Sequence, residues 1–178
     1  DNAMGSGGIT LNANVSSSGL TLNSTGDIIA AGSLNSGTGN VNIDTQLGSD
    51  ASVTLSGPIT GNAVTLDASG AISMAAVNAG GAFSLDNSSG SGDVTLGGDI
   101  TATRMDLYSA GGVRLGAAIT TTGTQVFDEG ITLIGDATLT GSGISLQTVD
   151  GDFALVIAES GTLSLNDAIG SVTPLRSL

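Results

Sequence analysis

Cysteine, histidine, lysine and tryptophan are all missing from this chain of 178 residues. Without cysteine there is no disulfide framework and no thiolate chemistry. Without histidine the usual transition-metal ligand and the usual general base near neutral pH are gone. Basic residues are limited to Arg104, Arg114 and Arg176, against 16 acidic ones, for a net charge of −13. Nucleic acid is therefore excluded as a partner, because a phosphate backbone needs a basic footprint. An anionic membrane surface repels such a chain as well. The longest apolar run, residues 153–158, is too short to cross a bilayer, so no membrane insertion is expected. Aromatic anchors are scarce, with three phenylalanines and one tyrosine, Tyr108, so the core must be aliphatic.

What remains is a chain rich in Gly, Ser, Thr, Ala, Val, Leu and Ile, with 29 glycines and two prolines. That mixture favours short strands between tight turns. A mean hydropathy of +0.33 argues against disorder. The stretch GDVTLGGDIT at 92–101 is nearly repeated as GGVRLGAAIT at 111–120, an offset of 19 residues. The same phrase recurs along the whole chain. Triplets of apolar, small polar and apolar residues start at Ile9, Ile28, Val53, Ile72, Val94, Val113, Ile131, Phe153 and Val172. Two residues ahead of them stand Gly7, Gly26, Gly70, Gly92, Gly111, Gly151 and Gly170, with Ala51 and Glu129 as the exceptions. These glycines are read as structural corners, needing positive φ or close approach between turns of chain.

A middle file of single apolar residues follows: Val15, Leu34, Ile59, Val77, Ile100, Ile119, Ala137 and Ile157. A last file of apolar pairs opens at Leu20, Val41, Val64, Phe83, Met105, Ile144 and Leu163. Residues two apart face the same way in a strand, whereas the helical spacing of three and four is absent. The pattern predicts an all-β parallel β-helix of about 8–9 coils, each of roughly 20 residues with three short strands. At the usual strand spacing of ~4.8 Å such a rod is roughly 40 Å long. Each coil leaves its apolar residues open until neighbours stack on it, so stability accrues through stacking. Three places break the pattern, one of them Pro174, which occupies a strand position in the last repeat. At 124–128 the inward residue is either Val126 or Phe127, and a longer corner is expected around Thr45–Asp50. Residues 1–3 read as a remnant of cloning, which leaves 4–178 as a single solenoid segment cut from a longer rod, with open ends that invite end-to-end stacking.

Runs such as GDVTLGGDIT, TGDIIAAGSLNSGTGNVNI and GAISMAAVNAGGAFSL resemble the haemagglutinin repeats of filamentous-haemagglutinin-like bacterial exoproteins. The stretch ITTTGTQVFDEGITLIGDATLTGSGISL, with DAIGSVTPLRSL, is similar to repeats of very large bacterial surface exoproteins. The resemblance implies a right-handed parallel β-helix, export across a Gram-negative outer membrane through a partner there, and a secreted or cell-surface location. It further implies a role in adhesion or biofilm, with a host-cell or matrix glycan or protein as the ligand. The asparagine–proline motifs of the family's secretion domain have no counterpart here, which marks the segment as stalk.

Chemistry has few places to reside, and no catalytic residue, cofactor or metal site is assigned. GSGDVTLGGD at 90–99 partly matches a calcium-binding nonapeptide, making Asp93 and Asp99 candidate ligands. That motif works in tandem copies nine residues apart, and here the period is near twenty. Asp150 and Asp152 in VDGDF form a close like-charged pair that could hold a cation at a corner. Arg104, Asp106, Tyr108 and Arg114 are the only cluster mixing acid, base and aromatic. They carry the alternative reading of a polysaccharide-active enzyme, whose hydrolytic form needs two opposed carboxylates. The outward file Thr10, Ile29, Thr54, Ser73, Thr95, Arg114, Thr132, Ala154 and Thr173 carries threonines suited to an ice-binding face, but Ile29, Arg114 and Ala154 interrupt it. A non-catalytic structural or adhesive role is the leading reading, ahead of an enzyme or a carbohydrate- or calcium-binding module.

Overall fold

A computed structural model describes residues 7–45 and 50–178. The proposed remnant at residues 1–3 lies outside the described residues, as do 46–49 within the long corner. Among the described residues there is no helix. Strands pair in parallel with the strand one coil away, and about 8 turns of ~19 residues stack into a β-solenoid. The predicted architecture is the observed one.

The first file forms an eight-stranded parallel sheet, running from Ile9–Leu11 through Val94–Leu96 to Val149–Asp150. Ile9, Ile28, Val53, Ile72, Val94, Val113 and Ile131 stand in direct register. The residue after each points outward, because the pleat alternates faces. From Ile28 to Ile131 these file residues are buried, as are Leu55, Leu96, Leu115 and Leu133 two positions on. In the first six coils the middle and last files are separate strands, such as Ile100–Ala102 and Arg104–Ser109. Further along, Ala137–Leu146 and Leu155–Leu165 run straight through the corner between them. The two files thereby join into one sheet of 14 strands. The register between these two long strands shifts between Gly141 and Gly143, the irregularity that lets a continuous strand turn the corner.

Corners are finished by polar groups that face inward. The Ser24 hydroxyl donates to Gly7 O, Thr45 to Ala51 O, and the Asn87 amide to Gly92 O. At the other corner Ser36 donates to Gly39 O and Thr121 to Gly123 O. Each side chain ties down a corner carbonyl, and those of Ala51, Gly39 and Gly123 also accept a backbone N–H of the next coil, from Gly70, Asn62 and Ser142. The corner glycines act through close approach. A Cβ on Gly92 would lie 2.3 Å from Ala71 N and 2.5 Å from Gly70 C.

One open choice is resolved and three expectations need correction. At 124–128 Phe127 faces inward over Leu107, and Gln125 takes the buried place above Met105. Its Nε2 donates to Thr140 O at 2.8 Å and Ile119 O at 3.2 Å, which offsets part of the cost of a polar core position, while its buried Oε1 has no partner. In the middle file Ile119 pairs with Leu139, while Ala137 sits two residues earlier beside Leu155. The first file continues from Ile131 to Val149, not to Phe153. Its ninth member is the bridge residue Ile169, and Val172 is 83% exposed. Gly151 and Gly170 therefore follow their file residues, with φ of 134° and 66°, where an L side chain would be strained. Finally, the outward file continues from Thr132 to Asp150, so Ala154 and Thr173 are not members.

Arginine is the only site of tryptic attack in this chain, and Arg104 and Arg114 lie inside strands of different sheets. Native protein is expected to resist trypsin at both, with cleavage confined to Arg176 near the chain end. Mass spectrometry of a timed digest checks this, and early release of a peptide ending at Arg104 would contradict the fold.

Candidate functional site

The outward carboxylates are tied to the stack. Asp93 Oδ1 accepts from Gly112 N at 3.2 Å, and Asp99 Oδ1 from Ala118 N at 3.0 Å. Asp27 and Asp136 make the same bond to Ser52 N and Ala154 N. Asp150 Oδ1 accepts from Val172 N at 2.8 Å and Thr173 N at 3.1 Å. In each case a corner carboxylate caps a backbone N–H of the following coil, taking the place of a missing ladder bond. Asp152 points to solvent and lies 3.8 Å from Arg176, which also donates to Asp152 O and rests over the Phe153 ring. The four calcium candidates are thus spread over separate corner contacts. Among the described residues no group of three or more acidic side chains could hold a metal ion.

Arg104, Asp106 and Tyr108 alternate along one strand and all face outward, with Arg104 and Asp106 paired at 3.2 Å. Arg114 belongs to the other sheet and does not join them. Ten residues are half a coil, enough to carry the chain onto a different face. None of the described aspartates or glutamates is buried. Asp106 stands between Ser84 and Val126 on the neighbouring strands. No second carboxylate stands directly across from it, as the two-carboxylate hydrolytic arrangement would require.

Comparison with protein-family models, curated proteins and solved structures finds no match to this chain.

Above the Arg104–Ser109 strand the same outer face is hollowed. Thr124, Val126, Gly143, Ser145, Thr162 and Ser164 line a shallow groove of about 200 Å³. Register explains it. Thr124, Gly143 and Thr162 form one outward file, and Val126, Ser145 and Ser164 the next. Gly143 lacks a side chain, so the first file dips between two threonines. Tyr108 stands at the end of the outward row that starts at Arg104, and is 40% exposed. The sequence offers no signal for this groove, because it depends on which residues become neighbours across three coils.

Proposed function

We propose that the chain is a non-catalytic structural and adhesive segment of a secreted bacterial surface protein. The supporting observation is the continuous parallel stack, with an aliphatic core and corner carboxylates engaged in holding coil to coil. A rod of this kind transmits length and presents flat outer faces, and its acidic surface keeps it soluble and apart from anionic membranes. The resemblance to haemagglutinin repeats adds export through a Gram-negative outer-membrane partner and a place in adhesion or biofilm. The enzyme reading is weaker because the row Arg104, Asp106 and Tyr108 lies on an open face without an opposed acid.

Incubation with a panel of acidic polysaccharides tests the proposal. No shortening is expected by size-exclusion chromatography. Turnover that disappears in Asp106→Ala would overturn the non-catalytic role. Calorimetric titration with calcium adds a second check, since a plain rod gives no saturable heat.

A further inference from the structure

We infer that the groove above Arg104–Ser109 binds a neutral oligosaccharide, with Tyr108 stacking against a sugar ring at its mouth. The inference goes beyond the rod role, which stands whether or not the groove binds anything. Two features of the lining and one beside it point to this class of ligand. The floor is apolar and narrow: Val126 lies along it, and the Thr124 methyl is the nearest group to the position a Gly143 Cβ would take, at 3.3 Å. Hydroxyls stand around it on Ser145, Thr162 and Ser164, and Asn166 Nδ2 donates to Ser145 Oγ at 3.0 Å. A pyranose has the matching character, with apolar C–H faces and a rim of hydroxyls that both donate and accept. Tyr108 supplies the third feature from beside the lining: one strand over from Val126 and two residues beyond Asp106 in the same outward row, it is an exposed aromatic face on a chain that has almost none.

Charge decides between kinds of glycan. The chain carries −13 overall, and the one arginine beside the groove is already paired with Asp106. Sulfated or carboxylated sugars find no free cation there and are repelled at long range. An extended peptide is disfavoured on different grounds. Peptides add to sheet edges through backbone bonds, whereas the groove is lined by the outward side chains of a sheet face; two of its strands, Thr124–Phe127 and Ala137–Leu146, are paired on both sides, and the open edge of Leu155–Leu165 lies beside the groove rather than in it. The groove follows the rod axis across three coils, about 10 Å between the outer strands at the usual spacing. That is the scale of a short oligosaccharide.

The test uses the whole chain with cellotetraose, maltotetraose and N-acetylated chitotetraose, and a heparin tetrasaccharide as the anionic comparator. Isothermal calorimetry and saturation-transfer NMR are expected to detect at least one neutral probe and not heparin. Tyr108→Ala is expected to weaken binding about tenfold through loss of the stacking face. Gly143→Val and Thr162→Arg, which fill the groove from two sides, are expected to abolish it, while Arg114→Ala on the other sheet leaves it unchanged. Circular dichroism melting selects the folded variants, and Thr162→Arg, on an exposed position, serves if Gly143→Val does not fold. Absence of binding to all three neutral probes would overturn the inference. So would heparin binding as tight as theirs, or neutral binding that survives a filled groove. Cleavage of a bound tetrasaccharide would support the groove while overturning the non-catalytic role.

Discussion

Gly92→Val is expected to destabilise the protein by about 3 kcal/mol or more, lowering the melting temperature by about 6–12 °C or more. The cause is backbone meeting backbone. The new Cβ would stand 2.3 Å from Ala71 N and 2.5 Å from Gly70 C, and Gly92 O is itself 2.4 Å from the position a Gly111 Cβ would take. No side-chain rotation relieves such contacts, so the coils must separate. Separation lengthens ladder bonds such as Ile72 N to Asp93 O, now 3.0 Å. It also disturbs the corner bond from Asn87 to Gly92 O, now 2.6 Å. Because each coil touches only its neighbours, a wedge in the middle of the rod weakens the coupling between its two halves. A broader or two-step melt is expected alongside the lower midpoint. Gly97→Ala is the matched comparison. Its added Cβ meets nothing nearer than Met74 O at 3.7 Å, and a change within about 0.5 kcal/mol is expected. Equal midpoints for the two variants by circular dichroism would refute the close-approach account of the glycine corners.

The reach of sequence reasoning in this chain follows from which rules are local. Val94-Thr95-Leu96 declares itself because alternation has a period of two and a glycine stands just ahead of it. Such triplets fix seven members of the first file. The same rule fails at Phe153 and Val172, where a glycine, a spacer and an apolar residue imitate the motif. There the corner between Leu146 and Val149 is short, so the true file residue arrives earlier than the imitation. Gln125 could not be read as a core residue, since its acceptors come from Ile119 and Thr140, one of them on the next coil. Arg114 looked close to Arg104 because chain distance is a poor guide when each coil turns through several faces. The groove was illegible for a related reason. Gly143 is an ordinary glycine until register places it between Thr124 and Thr162.

The pair Phe127 and Val126 gives the sharpest test of register in the one place where sequence left two choices. Phe127→Ala is expected to cost about 3–5 kcal/mol, and Val126→Ala less than about 1 kcal/mol. Phe127 is fully buried on the Leu107 side of the sheet, among the largest enclosed side chains of the core. Truncation there removes apolar contact and leaves a cavity between two coils whose backbones are held by ladders on both sides, so the site collapses poorly. Val126 is half-buried on the outer face between Asp106 and Ser145, and alanine there exposes little new surface. A slip of one residue would exchange these two faces, and would also turn Gln125 out of the core, stranding the carbonyls of Ile119 and Thr140. Urea denaturation of both variants separates the registers. A larger loss for Val126→Ala than for Phe127→Ala would mean that the coil winds the other way round at this point, and that Thr124 and Val126 do not line the groove.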